Sequence, residues 1–290
     1  MIRDLLKQKR GSVSFEVFPP KRDGNLENVK SCVDRLAKLS PDFISVTYGA
    51  NGGGGKNYTM EIAEHVKKCG VRPLAHLTAT GHTQRQIKTI LDSLEEKNLL
   101  SVLALRGDMP LEDTDEDGIC DFSYASDLVR FIRHYKGEKF EICGACYPEG
   151  HIDCDCLESD VENLRRKVDE GADFLISQLF FENNIFFEFL DLIKKKNINI
   201  PIIAGIMPAL NAKQIIHILS LCNAKFPKKF SRILAKYEEK PEALFDAGVA
   251  FATEQVIDLL AAEIDGIHIY TMNRPEVAER IHANILQVIM

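Results

Sequence analysis

The chain has 290 residues, of which 45% are hydrophobic and 27% are charged, and it contains no tryptophan. This length is sufficient to bury a substantial core, and residues 1–290 are predicted to form a single domain. The net charge of -7 and the pI near 5.7 argue against nucleic acid as a partner, because phosphate binding favours a basic surface.

Short β-rich runs alternate along the chain with amphipathic segments whose period is near 3.6 residues. The predicted strands are residues 13–18, 43–48, 72–77, 100–105, 140–146, 173–180, 200–206 and 266–271. The predicted helices are residues 25–39, 58–69, 83–97, 124–135, 157–171, 184–196, 211–222 and 274–288, and the segment 227–262, divided at Pro241, adds two more before the last strand. Thr83, Asn211 and Asn273 are predicted N-caps.

Eight near-continuously apolar strands in alternation with eight helices predict an all-parallel sheet that is covered on both faces. We therefore expect an α/β fold of the (β/α)8 TIM-barrel type, with extra helices before the last strand. An open doubly wound sheet is the alternative. That fold normally has a glycine-rich phosphate turn after its first strand, where this chain has PPKRDGN, residues 19–25.

Two segments are relevant to the cellular location of the protein. Residues 1–12 carry charges without an apolar run behind them, which is not the pattern of a signal peptide. Residues 243–264 form the most apolar long segment, but they include four carboxylates, so a buried amphipathic helix is predicted rather than a membrane span. A cytoplasmic location without a membrane partner is expected.

Five of the eight cysteines lie between residues 120 and 156. A zinc site is conceivable if the loop with Cys154 and Cys156 meets the CxxC formed by Cys143 and Cys146. Because Cys143 and Cys146 lie in a predicted strand at a spacing of three, they are expected to project to opposite faces. We predict free thiols and no metal site.

Polar residues gather at the predicted C-terminal ends of seven strands, where barrel enzymes place their catalytic groups. Glu16 is the least expected of them, because it lies between Phe15 and Val17 in an apolar run. A structural alternative exists for each residue: Glu16 in a buried ion pair, or His76 as a hydrogen-bonded core histidine. Their shared placement at one mouth favours an active site.

The motifs that carry these residues resemble those of one known family. They are SFEVFPPK (14–21), SVTYGAN (45–51), HLT (76–78), ALRGDMP (104–110), YASDL (124–128), YPEGH (147–151), DVENLRRKVDEGAD (160–173), QLFFE (178–182), GIMP (205–208) and YTMNR (270–274). In this order and combination the chain resembles the bacterial, single-domain methylenetetrahydrofolate reductases over nearly its whole length. The resemblance implies a flavoprotein oxidoreductase of one-carbon metabolism and methionine biosynthesis, which reduces 5,10-methylenetetrahydrofolate to 5-methyltetrahydrofolate with bound FAD and with NADH or NADPH as co-substrate.

The resemblance also implies catalytic roles. Glu16 would be the general acid that protonates N10 of the folate, and Asp108 would lie near N1 of the flavin and favour hydride donation. We expect desolvation by Phe15, Val17, Phe18 and the bound flavin to raise the pKa of Glu16, so that a proton is available at neutral pH.

Further residues are implied as ligand contacts. Gln178 and Gln214 would contact the pterin ring, and Arg274 would pair with the glutamate tail of the folate. The residues that the resemblance assigns to FAD are Thr47, His76, Arg106, Gly107, Asp108, Tyr124, Ala125, Ser126, Tyr147, His151, Asp160, Asn163, Arg166 and Lys167. On a helix, residues 160, 163 and 167 share one face, as a ligand lying alongside requires.

Other readings stay open at this point. The flavin could be reduced by a partner electron-transfer protein instead of by a nicotinamide nucleotide. A different flavin barrel, similar to proline dehydrogenase, and a non-enzymatic folate- or flavin-binding subunit are further alternatives, although the combination of Glu16, Asp108 and Gln178 argues against the last. The resemblance implies a homo-oligomer.

Overall fold

The structure, a computed structural model, describes residues 1–20, 24–48, 58–107 and 121–289. Within these residues, eight parallel strands close into a barrel in which each strand pairs with its neighbours in chain order. The strands are β1 (Ser12–Val17), β2 (Phe43–Val46), β3 (Arg72–Thr78), β4 (Ser101–Leu105), β5 (Glu141–Cys146), β6 (Phe174–Ser177), β7 (Ile202–Ile206) and β8 (Gly266–Tyr270). The predicted (β/α)8 barrel is confirmed.

One helix precedes the first strand, and the others follow the strands and cover the outside of the barrel. They are α1 (Ile2–Gln8), α2 (Leu26–Ala37), α3 (Thr59–Lys68), α4 (Gln84–Glu96), α5 (Ala125–Lys136), α6 (Leu157–Asp169), α7 (Asn183–Lys195), α8 (Ala212–Leu221), α9 (Lys228–Tyr237), α10 (Pro241–Ala261) and α11 (Pro275–Ile289). The two extra helices predicted before the last strand are α9 and α10, and Pro241 begins α10 as predicted. In the part of the chain that the structure describes, no helix combines the length and the apolar character that crossing a bilayer requires.

Two of the three predicted caps, Thr83 and Asn211, are confirmed by their hydrogen bonds. The side chain of Asn273 instead bonds the backbone nitrogen and the carbonyl oxygen of Phe18. Thr83 forms a capping box with Gln86 at the start of α4. The side chain of Asn211 accepts a hydrogen bond of 3.0 Å from the backbone nitrogen of Gln214 in the first turn of α8.

Helix α1 was not predicted, and it closes the N-terminal end of the barrel. Ile2 and Leu6 are buried against inward-facing residues such as Phe43 and Phe174. The buried carboxylate of Glu141, on β5, accepts hydrogen bonds of 3.0 Å from the backbone nitrogens of Ile2 and Arg3. The helix has seven residues, which is too short for a hydrophobic period to be recognised in the sequence.

The strands alternate between two apolar layers. Phe15 and Val17 of β1 point outward into the main core between the barrel and its helices. Residues at the intervening positions face the interior, where the N-terminal half is apolar and includes Leu74 and Ile203. Glu16 therefore faces the interior of the barrel, on the side of the strand opposite to Phe15 and Val17.

Two strands end two or three residues before their predicted C-termini. β2 ends at Val46 and β6 ends at Ser177, so Tyr48 and Gln178 lie in the loops that follow these strands. Strand β6 ends there because side chains form hydrogen bonds with the backbone groups at that point. The hydroxyl of Tyr270 donates to the carbonyl oxygen of Ser177 at 2.8 Å, and Oε1 of Gln178 accepts from the nitrogen of Leu179 at 2.8 Å.

Candidate active site

Glu16 lies near the C-terminal end of β1, level with Ser45 on β2 and Tyr270 on β8. Its side chain is 17% exposed. The hydroxyl of Ser45 donates to Oε2 at 3.3 Å. Oε2 also lies 3.4 Å from Nε2 of His76 and 3.7 Å from Nε2 of His268. The surroundings of the carboxyl are therefore polar.

The expected rise in the pKa of Glu16 is wrong for the ligand-free protein. Burial favours the neutral acid, but the two nearby imidazoles, first His268 and then His76, and the hydroxyl of Ser45 outweigh it, so the pKa of Glu16 lies below its ordinary value. The reason is geometric. Phe15 and Val17 project to the other face of β1, and the groups that the carboxyl does meet stabilise its anion.

His76 faces the interior from β3 and is almost fully buried. Burial lowers the pKa of His76 to about 4, so the ring is neutral at pH 7. Its Nε2 has no hydrogen-bond partner among the described residues. A buried ring nitrogen without a hydrogen-bond partner is the kind of group that a ligand can satisfy.

His268 is the functional residue that sequence reasoning missed. It is 1% exposed and stacks on Phe43, with 5.6 Å between ring centroids. Its Nδ1 lies 2.8 Å from Oγ of Ser14, and its Nε2 lies 3.1 Å from Oγ of Ser45. Ser14, Glu16, Ser45 and His268 form the cluster that we call the interior polar cluster. The available signal was a histidine at an inward position of the apolar strand GIHIY.

Tyr270 borders this cluster. Its ring meets the ring of His268 edge to face, with 5.3 Å between centroids. Burial, together with the charge of Glu16, raises the pKa of Tyr270 well above its ordinary value, so the phenol keeps its proton.

Thr47 follows the last residue of β2 at the same end of the barrel. Its backbone nitrogen donates to the carbonyl oxygen of Val17 at 3.0 Å. Its carbonyl oxygen accepts from the hydroxyl of Thr59, at the start of α3, at 2.8 Å. Thr47 is thus fixed at the edge of the mouth by the strand before it and the helix after it.

Arg106 and Gly107 follow β4. The guanidinium of Arg106 pairs with the carboxylate of Asp153 at 2.8 Å, and this partner holds the pKa of Asp153 below its usual range. Gly107 has φ +86, and a Cβ there would lie 3.0 Å from Cβ of Thr78. A side chain is therefore excluded at this turn.

Tyr124, Ala125 and Ser126 form the start of α5. Tyr124 is the N-cap residue, and its side chain is 65% exposed, although its ring is large and apolar. Its backbone nitrogen donates to the carboxylate of Asp127 at 2.9 Å. An aromatic ring left in solvent beside a helix N-terminus suits contact with a ligand.

The loop after β5 contacts the helix α6. The rings of Tyr147 and His151 are in edge-to-face contact, with 4.7 Å between centroids. The backbone nitrogen of His151 donates to Asp160 at 3.2 Å. On the same face of α6, Asn163 donates from Nδ2 to the sulfur of Cys154 at 3.6 Å and accepts from Arg166 at 3.5 Å.

Lys167 extends this helix face toward the barrel. Its Nζ donates to the carbonyl oxygen of Ala145 at 2.6 Å, and no carboxylate forms an ion pair with it among the described residues. Burial lowers the pKa of Lys167 from its ordinary value. A buried ammonium that lacks a carboxylate partner suits an anionic ligand such as a diphosphate.

The residues predicted to contact folate are less closely grouped than those assigned to FAD. Gln178 follows β6 at the mouth, and Gln214 lies in the first turn of α8. Arg274 pairs with Glu276 at 2.9 Å and lies over the ring of Phe245. Among the described residues, neither Gln214 nor Arg274 makes a hydrogen bond or ion pair with the interior polar cluster. Asp108, the second predicted catalytic residue, lies outside the described residues.

The cysteines of β5 behave as expected from their spacing. Cys143 faces the barrel interior, whereas Cys146 faces the main core outside it. Burial raises the pKa of Cys146 to about 12 and that of Cys143 well above its ordinary value, so both thiols stay protonated. Cys154 donates to Asp160 at 3.5 Å.

The residues present fit a flavin dinucleotide. The features that indicate this are the unpartnered ring nitrogen of His76, the buried ammonium of Lys167, the exposed ring of Tyr124 and the side-chain-free turn at Gly107. These groups lie at the C-terminal ends of β3, β4 and β5 or on the helices that follow β4 and β5. A ligand with an anionic middle and planar ends matches such a mixture of groups.

Comparison with known proteins identifies relatives of one kind. Residues 1–286 match the family model for methylenetetrahydrofolate reductase. The chain is 36% identical to "Methylenetetrahydrofolate reductase (NADH) 1" of Arabidopsis thaliana, over 98% of this chain and 50% of that protein. It is 32% identical to the 5,10-methylenetetrahydrofolate reductase of Escherichia coli strain K12, over 96% of this chain and 94% of that protein. The chain thus spans about half the length of the plant relative and nearly all of the bacterial one.

Similar solved structures agree on the fold. One is an uncharacterized protein from Clostridium thermocellum that binds two copies of 5-methyl-5,6,7,8-tetrahydrofolic acid, with a TM-score of 0.69 and 14% identity over 99% of this chain and 97% of that one. Another is tryptophan synthase from M. tuberculosis, with a TM-score of 0.56 and 11% identity over 100% of this chain and 99% of that one. At these identities the likeness concerns the barrel alone.

Proposed function

The chain belongs to the methylenetetrahydrofolate reductase family, and on this premise we propose that it reduces 5,10-methylenetetrahydrofolate to 5-methyltetrahydrofolate. The proposed catalyst is one barrel, residues 1–290, with FAD at the C-terminal mouth and NADH or NADPH as the electron source. The plant relatives are named as NADH-dependent enzymes, which supports the nicotinamide route.

The observation that carries this proposal is the position of Glu16. Its carboxyl lies inside the barrel at the catalytic end, within hydrogen-bonding range of Ser45 and close to two imidazoles. The reaction requires one proton at N10 of the folate, because protonation there breaks the bond between N10 and the methylene carbon and leaves a 5-iminium cation that accepts hydride. Glu16 is the carboxyl that we propose for this step.

The residues proposed to hold FAD lie on one side of the mouth. Bound FAD supplies hydride transfer from the nicotinamide nucleotide to the folate. Lys167 and Arg166 would bind the diphosphate, and Asp160 would accept hydrogen bonds from hydroxyls of the adenosine half. The other proposed contacts are Thr47, His76, Arg106, Gly107, Tyr124, Ala125, Ser126, Tyr147, His151 and Asn163.

The folate would occupy the opposite side of the mouth. We assign Gln178 and Gln214 to the pterin ring and Arg274 to the glutamate tail, for which Arg274 would exchange its present partner Glu276. Asp108, outside the described residues, is assigned to the flavin pyrimidine. Ligands stacked over the exposed fraction of Glu16 would remove the remaining water and shift this carboxyl toward its protonated form.

The first experiment is an anaerobic titration of the purified yellow protein with NADH, followed by addition of methylenetetrahydrofolate. We expect the flavin band to bleach with NADH and to return with folate. If reduced dyes reduce the flavin but NADH does not, a partner electron-transfer protein would be required instead. If the flavin stays reduced after methylenetetrahydrofolate is added, the proposed function is contradicted.

The second experiment separates the two half-reactions by mutation. Glu16→Gln is expected to retain FAD and the oxidation of NADH by an artificial acceptor, while folate reduction is lost. Glu149→Gln is the matched control, since Glu149 lies after β5 at the same mouth and its carboxylate accepts only the backbone nitrogen of Lys225 in the described structure, at 3.0 Å. Folate turnover near the wild-type rate in Glu16→Gln would refute the assignment.

A further inference from the structure

The ring of His268 is held at both nitrogens by groups from neighbouring strands. Ser14 of β1 contacts Nδ1, and Ser45 of β2 contacts Nε2. All three residues are buried, and Phe43 covers one face of the ring. A histidine fixed in this way has one orientation, so each nitrogen can be assigned a separate function.

The hydrogen bonds of Ser14 determine the state of Nδ1. The hydroxyl of Ser14 donates to the carbonyl oxygen of Ile267 at 3.0 Å, which engages its only hydrogen. Oγ of Ser14 can then only accept from Nδ1, at 2.8 Å. Nδ1 of His268 therefore carries a hydrogen, and a second ring proton has to be placed on Nε2.

At Nε2 of His268, one proton can be placed in two ways. If His268 is neutral, Nε2 accepts from the hydroxyl of Ser45 at 3.1 Å. If the ring is an imidazolium, Nε2–H donates to Oγ of Ser45, and the hydroxyl of Ser45 donates to Oε2 of Glu16 at 3.3 Å. A charged His268 with an anionic Glu16 has the same number of protons as a neutral His268 with a neutral Glu16. The two states therefore differ only in where one proton lies.

Resting on the proposed function, we propose that His268 stores the proton for folate reduction and passes it through Ser45 to Glu16. In this relay Nε2 of His268 gives its proton to Oγ of Ser45, Oγ releases its own hydrogen to Oε2 of Glu16, and Glu16 protonates N10. His268 becomes neutral, and after product leaves it is recharged from solvent through Glu16, whose side chain is 17% exposed, and Ser45. The relay explains how a carboxylate that is ionised in the ligand-free protein delivers a proton.

The other groups that face His268 do not supply this proton. His76, on β3, is neutral at pH 7 because burial lowers its pKa to about 4. Tyr270, on β8, donates its hydroxyl to the carbonyl oxygen of Ser177 at 2.8 Å. The residue level with His268 on β7 is Gly205, which has no side chain. Glu16 and Ser45 are therefore the proton partners of Nε2 among the described residues.

The kinetic test compares the two half-reactions in variants of the relay. Ser45→Ala removes the bridge, and His268→Gln retains a donor near Nε2 but cannot carry an ionisable proton. We expect each to slow the reoxidation of reduced flavin by methylenetetrahydrofolate by about 10²-fold at neutral pH, with a changed pH profile, while reduction by NADH stays near the wild-type rate. Ser45→Thr keeps the hydroxyl and should restore the folate step.

His282→Gln is the control, because this histidine lies on α11, outside the barrel. Wild-type folate rates and pH profiles in both Ser45→Ala and His268→Gln would overturn the relay. If Glu16→Gln is inactive at the same time, the proposed function stands and only the relay fails. A wild-type protein that never oxidises its flavin with folate would overturn both.

A measurement without turnover tests the proton assignment. Nitrogen NMR of the ¹⁵N-histidine-labelled protein should show the Nδ1–H tautomer for neutral His268, assigned by its loss in His268→Gln. Ser14→Ala should weaken this preference, because the acceptor at Nδ1 is removed. A neutral His268 with its hydrogen on Nε2 in the wild-type protein would overturn the proposal.

Discussion

Oε2 of Glu16 lies 3.7 Å from Nε2 of His268, and the hydroxyl of Ser45 is within hydrogen-bonding distance of both. The three side chains come from β1, β2 and β8, which are adjacent in the closed barrel although His268 is 223 residues from Ser45. Closure of the barrel between its first and last strands thus creates the polar environment of the carboxyl. Buried groups of this kind make stability depend on pH.

His76 gives a prediction for acid stability. Its pKa is 6.5 in the unfolded chain and about 4 in the folded protein, so the unfolded state binds more protons between these values. The free energy of unfolding should therefore fall as pH decreases from 6.5 to 4, by about 3 kcal/mol from this group alone. We expect His76→Gln to reduce this pH dependence, measured by urea denaturation at a series of pH values.

The control for His76 is His134→Gln, because His134 is exposed on α5. Its unfolding curves should follow those of the wild type at each pH. A pH dependence in His76→Gln as steep as in the wild type would show that His76 is protonated in the folded protein.

Glu141 gives a prediction for the closure of the barrel bottom. Its buried carboxylate accepts the backbone hydrogens of Ile2 and Arg3 and thereby holds α1 in place. Glu141→Ala should lower the free energy of unfolding by about 2–3 kcal/mol, because the backbone nitrogens of Ile2 and Arg3 and the hydroxyl of Ser101 lose a charged acceptor. Chemical denaturation measures this loss. Glu138→Ala is the matched control, since Glu138 also contacts Arg3 but is largely exposed, and a similar loss there would contradict the explanation.

Much of the fold could be predicted because the strand pattern is local. Each predicted strand overlaps an observed one, and the caps at Thr83 and Asn211 were identified from side chains within three residues. Helix α1 could not be predicted in this way, because its stability depends on packing under the barrel and on Glu141, which is 139 residues from Ile2.

The site was predicted in part for the same reason. Placing Glu16 and His76 at one mouth required only the order of the strands. The prediction that Phe15 and Val17 surround the carboxyl of Glu16 is wrong, because neighbours in a strand point to opposite faces. The role of His268 depends on the register between β8 and β1, which no local pattern specifies.

Gly107 gives a prediction for the turn after β4. Its φ of +86 is unfavourable for residues with a side chain, and an added Cβ would meet Cβ of Thr78 at 3.0 Å. Gly107→Ala should therefore lower both the free energy of unfolding and the affinity for FAD. Gly81→Ala isolates the backbone contribution, because Gly81 has φ +77 and open space around it, and it should cost about 1–2 kcal/mol of stability without loss of FAD affinity. Equal FAD affinities in the two variants would contradict a role for the Gly107 turn in binding.

Asp153 gives a prediction for cofactor affinity. Its carboxylate pairs with Arg106 at 2.8 Å, at the position where an anionic or hydroxyl-rich part of FAD is proposed to bind. A cofactor that uses Arg106 has to displace this carboxylate, so Asp153→Asn should tighten FAD binding by roughly 2- to 5-fold, the scale of one exposed ion pair.

Fluorescence titration of the FAD-free protein measures this change, and Asp155→Asn, which removes an exposed carboxylate two residues away, is its control for net charge. Equal tightening in both variants would indicate a general charge effect. Weaker binding in Asp153→Asn would mean that Asp153 orients Arg106 for the cofactor instead of competing with it.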